Sequence, residues 1–111
     1  MTDLVISNLS FFLNDFGVKI IPKAGNLSES YKKGSKCRVY IDTTCHACVE
    51  PKETSCYLST LHITHCDVVR FSEIDTFFNK EMSEDFKIDL RHQNPSISDS
   101  DDITIIYLSR I

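Results

Sequence analysis

The sequence predicts an α+β domain, a four- to five-stranded antiparallel or mixed sheet with two helices packed on one face, on three observations. A helical stripe opens the chain, period-two alternation marks its middle, and a second helical stripe leads into two further strand-like runs. Helices and strands in that grouping segregate into layers rather than alternating as βαβ units. At 111 residues the chain is the size of one domain, residues 1–111, and folding at that length hides roughly two-thirds of the unfolded surface. One core is enough, without metals or disulfides.

Leu4, Val5, Leu9, Phe12, Leu13 and Phe16 recur at spacings of one, three and four and end at Gly17, which predicts a first helix. VKII (18–21) is β-branched and stops at Pro22, a short strand or edge segment. PKAGNLSESYKKGSK (22–36) is polar and rich in turn formers, a loop with room for one helical turn. From Lys36, Cys37, Val39 and Ile41 alternate with Arg38, Tyr40 and Asp42, the pattern of a strand with one buried face and the start of a central meander. CYLSTLHITHC (56–66) continues in strand formers. Tyr57, Leu61 and Ile63 are expected inward and Thr60, His62 and Thr64 outward, with a slip near Ser59 that fits a bulge.

SEIDTFFNKEM (72–82) starts from Ser72, with Asp75 three residues on, and sets Ile74, Phe77, Phe78 and Met82 on one face, which predicts the second helix. FKIDLRH (86–92) alternates Phe86, Ile88 and Leu90 against Lys87, Asp89 and Arg91 as a strand does, and ITIIYLS (103–109) reads as a more fully buried last strand. Between them QNPSISDSDD (93–102) is a polar loop.

Asp3 stands where a secretory leader carries Lys or Arg, and no run approaches the eighteen or so apolar residues of a membrane helix, so a cytosolic protein with free thiols is expected. The formal charge of −4 is uneven. Residues 1–71 hold eight Lys/Arg against seven Asp/Glu, whereas residues 72–102 hold three against nine. Such a field repels phosphates and anionic lipid and favours a cationic protein surface as partner, with no nucleic acid and no membrane.

Three cysteines and a histidine crowd TTCHACVEPKETSC (43–56). A zinc reading takes Cys45 and Cys48 as one arm and seeks a second among Cys56, His62, His65 and Cys66, with Cys56 and His62 the chosen pair, but Cys56 lies on the near side of a strand and His62 and His65, three apart, point to its opposite faces. A redox reading notes a strand followed by CxxC, but Pro51 stands where the helix that activates such a motif should run. The remaining reading makes Cys37, Cys56 and Cys66 small buried hydrophobes and Cys45 and Cys48 ordinary loop residues. His46, His62, His65 and His92 have no partner at a triad spacing, and Gly17, Gly25 and Gly34 are isolated, which argues against a phosphate loop. No catalytic residue and no cofactor is assigned.

The loop carrying Asp99, Asp101 and Asp102 offers three carboxylates within four residues, and Glu84 and Asp85 extend the same anionic segment. Arg and Lys side chains that hold phosphates also hold carboxylates, so these five residues are the expected partner contacts. In size, acidity and layout the chain resembles the small immunity proteins of bacterial toxin systems, including colicin and contact-dependent inhibition pairs. That resemblance implies a cytosolic inhibitor that binds one cognate, basic, nuclease-like toxin tightly and occludes its cationic site. A phage-type inhibitor of a host enzyme is a close variant with the same physics. The alternative from a different class is a zinc- or thiol-dependent module using Cys45, Cys48, Cys56 and His62.

Overall fold

The computed structural model describes residues 2–8, 11, 17–45 and 50–110. Five strands, β1 (Thr2–Ile6), β2 (Val18–Ala24), β3 (Lys36–Ile41), β4 (Cys56–Arg70) and β5 (Asp102–Ser109), form one sheet in the order β1-β3-β4-β5-β2. β1 runs parallel to β3 and every other pair is antiparallel, so the sheet is mixed. A 3-10 turn (Phe71–Glu73), the short helix α1 (Ile74–Phe77) and the longer helix α2 (Lys80–Gln93) fill the connection from β4 to β5. The α+β class and the two-helix layer are those the sequence predicts.

β5 is buried on both faces, which explains its unbroken apolar run. Ile103 and Ile105 meet the helices through Phe71, Ile74, Phe86 and Leu90. Ile106 and Leu108 join Leu4, Ile6, Ile21, Val39, Leu61 and Ile63 on the other side, where Tyr31 and Leu27 of the 25–35 loop pack. Tyr31, placed by its sequence neighbours in a polar loop, is fully buried and donates its hydroxyl to the Asp3 carbonyl at 2.9 Å. Burial pushes that phenol well above its usual range.

Four expectations are corrected. Leu4 and Val5 belong to a strand, not a first helix: Leu4, Val5 and Ile6 are consecutive buried residues paired in parallel with β3, and a short apolar run of this kind suits a doubly buried strand. Leu9, Phe12, Leu13 and Phe16 lie outside the described residues. FKIDLRH is helical. Asn79 caps α2 by accepting the Met82 N–H at 2.8 Å, Phe86 and Leu90 are four apart and face inward, and Ile88 turns out to solvent. The predicted helix over 72–82 breaks at Phe78, whose backbone is extended, and this break leaves Phe77 57% exposed while Ile74 and Phe78 pack inward.

The fourth correction follows from a bulge. The β3–β4 register shifts between Val39 and Tyr40, since Val39 pairs Ser59 but Tyr40 pairs Tyr57, which puts the bulge beside Ser59 as expected. One extra residue flips the side-chain phase. Tyr57 therefore points away from Leu61 and Ile63 and is 55% exposed, edge-on to Tyr40 with ring centroids 5.7 Å apart.

Candidate functional site

The outer face of α2 is set by its inner one. Ser83, Phe86, Asp89 and Leu90 are buried, so Glu81, Glu84, Asp85 and Ile88, related by three, four and seven residues, fall together on the solvent side. All four are exposed, Ile88 at 53%. Among the described residues no ion pair reaches Glu81, Glu84 or Asp85; the nearby lysine Lys87 is occupied with Asp75 at 2.6 Å. That contact holds the Asp75 carboxyl below its usual range. Lys80 and Glu84 line a shallow hollow with Asp75, Phe78 and Lys87 at the start of the helix. The surface offers an exposed apolar side chain beside three exposed carboxylates. The sequence marks Glu84 and Asp85 as contacts but places them before a strand; the helix adds Glu81 and Ile88, which the 81-84-85-88 spacing carries once that segment is read as helical.

The three loop aspartates play unequal parts. Asp101 accepts the Ser98 N–H on Oδ2 at 2.8 Å while its own N–H bonds the Ser98 carbonyl, so its carboxylate holds the turn closed. The carbonyls of Asp99 and Asp101 accept the N–H groups of Ser72 and Phe71, docking the turn onto the end of β4. The side chains of Asp99 and Asp102 remain exposed, and Asp102 lies opposite Arg70 in the β4–β5 register. Of the three, Asp99 and Asp102 face solvent and Asp101 is half-buried.

The cysteine loop is tied at its base by a buried carboxylate. Asp42, just past β3, accepts hydrogen bonds from Thr44 N–H (3.0 Å), Thr44 Oγ1 (2.6 Å), Thr54 Oγ1 (2.7 Å) and Ser55 Oγ (2.9 Å). These donors, Thr44 foremost, hold its carboxyl far below the usual 3.8, so the anchor is complete above that pH and is lost only as pH falls below it. Asp42→Ala is expected to loosen residues 43–55, read as faster tryptic cleavage after exposed Lys52 with no change at Lys87; equal cleavage would show that the carboxylate does not hold the loop.

Cys45 is disulfide-bonded, with the Lys52 ammonium 3.8 Å from its sulfur, whereas Cys37, Cys56 and Cys66 are free thiols. The expectation of five free thiols is thereby corrected at Cys45, and a disulfide sulfur is not the thiolate a zinc ion takes. Cys56 is exposed at the start of β4 and His62 is half-buried further along it, while His46 and Cys48 lie outside the described residues. Among the described residues no group of three or more His, Cys, Asp and Glu side chains is placed to hold a metal ion. No helix of the described residues is long and apolar enough to cross a membrane.

No family model matches the chain, and neither a curated protein nor a solved structure is significantly similar to it. What the protein does must therefore be read from its own surface.

Proposed function

We propose that the protein is a cytosolic inhibitor of the toxin-immunity type, which binds a basic, nuclease-like toxin or enzyme domain and covers its cationic site. The observation that carries this reading is the outer face of α2, where Glu81, Glu84 and Asp85 lie in the two turns before exposed Ile88 with no ion pair of their own among the described residues. An apolar anchor beside a charged rim is the usual anatomy of a tight interface, and a rigid helix presents its carboxylates to Arg or Lys with no backbone left to order. Asp99 and Asp102 extend the same sign of charge at the far end of the α2–β5 connection.

The test uses the product of the gene adjacent to this one, purified and titrated with the protein, alongside growth of cells expressing that product with and without it. A complex and restored growth are expected. Glu84→Lys combined with Asp85→Lys should slow association about tenfold at low salt and flatten its salt dependence, and Ile88→Asp should speed dissociation by a similar factor. Absence of both complex and rescue would reject the reading. Unchanged kinetics in both variants would move the contact off α2.

A thiol-dependent module built on Cys45 and Cys48 is the second reading, favoured by the disulfide at Cys45 and the lysine beside it. Reversible reduction at physiological glutathione poise, followed by mass spectrometry of the trapped thiols, would support it; a disulfide that resists such reduction would not.

A further inference from the structure

Sheet edges expose rows of unpaired N–H and C=O groups, and proteins normally block them. Both outer edges of this sheet carry such blocks. On β2, Pro22 has no N–H, and the Gln93 side chain pairs with the strand as a backbone would: its Oε1 accepts the Ala24 N–H at 2.9 Å and its Nε2 donates to the Pro22 carbonyl at 3.0 Å. On β1 the Asp3 carbonyl accepts the Tyr31 hydroxyl and Thr2 Oγ1 bonds the Ser30 carbonyl.

A third edge lies inside the sheet. β4 is 15 residues long but β3 pairs it only from Cys56 to His62, and the Gly34 and Ser35 backbone extends that pairing no further than Ile63. From His65 onward β4 has β5 alone as neighbour. Phe71 N–H bonds the Asp101 carbonyl, so Val69, Asp67 and His65 direct their backbone groups toward β5, and Cys66, Val68 and Arg70 direct theirs away. Glu73 Oε1 takes the Arg70 N–H at 2.9 Å. The N–H and C=O groups of Cys66 and Val68 find no hydrogen-bond partner among the described residues, and the Val68 side chain is 36% exposed.

We infer that the Cys66–Arg70 edge receives an extended segment of a partner protein as an additional antiparallel strand, with a Lys or Arg opposite Asp67 and apolar residues on either side of it. Strand addition takes its affinity from main-chain hydrogen bonds and its specificity from alternate side chains. An incoming strand bonded to Cys66 and Val68 sets one residue opposite Asp67 and its two neighbours opposite Cys66 and half-exposed Val68. The Asp67 side chain stays 45% exposed even with His65 Nε2 2.7 Å from its Oδ1, so a cation on the incoming strand reaches that carboxylate from its open side. A second copy of this chain is the wrong occupant. The symmetric register that uses all four free groups places Asp67 against Asp67 of the other copy, two like charges directly opposed. A register centred on Val68 needs the Arg70 N–H, which Glu73 already holds.

The surface is separate from the outer face of α2, and its test does not involve the toxin partner. The probes are capped peptides Thr-Val-Lys-Val-Thr and Thr-Val-Glu-Val-Thr, and the lysine peptide N-methylated on alternate residues so that its bonding edge is lost. Hydrogen exchange of individual amides and chemical-shift titration are read on the intact protein. With the lysine peptide at millimolar concentration, the Cys66 and Val68 amides are expected to exchange several-fold more slowly while the Gly34 and Ser35 amides do not change. The glutamate peptide should bind about two- to fivefold more weakly, in line with one cross-strand charge pair, and Asp67→Lys should reverse that order. The N-methylated peptide should not protect either amide. Equal binding of all three peptides, or no protection of Cys66 and Val68 at any concentration, would overturn the inference. So would a dimer in sedimentation in which these two amides are already protected without peptide.

Discussion

Phe86→Ala is expected to lower the unfolding free energy by about 3–5 kcal/mol, the cost of removing a buried aromatic ring whose cavity the surroundings cannot fill. Phe86 is fully buried on the inner face of α2, edge-on to Phe11 with centroids 5.4 Å apart and to Phe78 at 5.0 Å. It joins three parts of the chain: the segment after β1, the break between the helices, and β5 through Ile103 and Ile105. None of these can collapse into the space without moving a strand or a cap. Phe77→Ala, the same chemical change nine residues earlier, is expected to stay within about 0.5 kcal/mol because that ring is mostly in water. Urea denaturation of both variants checks the pair, with unchanged slopes marking a true stability change. A small loss at Phe86, or a large one at Phe77, would mean that the helices do not break at Phe78.

That pair of phenylalanines shows where the sequence was legible and where it was not. Ile74, Phe77, Phe78 and Met82 suit one face of a continuous helix, and nothing in their spacing announces the extended Phe78 that ends α1; Asn79, an N-cap type followed by good helix formers, is the signal that a new helix begins. Phe86, Ile88 and Leu90 satisfy a two-residue period, but Phe86 and Leu90 satisfy a four-residue one as well, so the segment was ambiguous and only Ile88 told the two apart by its exposure. Conversely, Leu4, Val5 and Ile6 lack any alternation because β1 is covered on both sides, and adjacent apolar residues then mimic part of a helical stripe. The strands with one buried face, β3 and the first half of β4, were readable from alternation, including the bulge beside Ser59. Its consequence for Tyr57 was not, since the phase flip depends on which residue is extra.

The candidate site was legible in charge and not in shape. Nine carboxylates in residues 72–102 announce an anionic segment, yet the same count hides three different duties. Asp101 closes a turn, Asp89 is buried on the inner face of α2, and Glu81, Glu84 and Asp85 face solvent on the same side as Ile88. Composition cannot separate a carboxylate that holds the fold from one that faces solvent; the hydrogen-bond partners do. The free edge at Cys66 and Val68 has no sequence signature at all, because it arises only from β4 outrunning β3.

Asp89→Ala is expected to cost about 3–5 kcal/mol, the range for removing one partner from a buried charge pair. Asp89 accepts Ser7 Oγ at 3.0 Å and Gln93 Nε2 at 2.8 Å, and its charge faces buried Lys23 of β2. Burial lowers the Lys23 pKa from 10.5 to about 8, and the attraction of Asp89 opposes that fall. Without Asp89 the ammonium keeps its burial and loses its counter-charge, Ser7 loses its acceptor, and Gln93, which covers the β2 edge, loses its anchor. Because the native lysine releases its proton before the unfolded one does, the unfolded chain binds more protons between about pH 8 and 10.5, and Lys23 makes stability rise with pH across that window. Cys37 acts the other way. Burial raises its thiol from 9.0 to about 12, so the stability it contributes is present below pH 9 and lost above it, and buried Tyr31 adds to the loss. The rise is therefore confined to about pH 8–9; above it the Lys23 and Cys37 slopes roughly cancel, and the Cys66 thiol, which burial also raises, and then Tyr31 turn the profile into a fall. Lys23→Met should abolish the rise and leave the fall, and combining it with Asp89→Ala should recover part of the single-variant loss, since no buried ammonium remains to be compensated. Unfolding free energies of the wild type and the three variants from pH 7 to 11 decide the matter. A wild type and Lys23→Met with the same pH profile, or an Asp89→Ala loss under about 1 kcal/mol, would show that the pair is not a buried, coupled one.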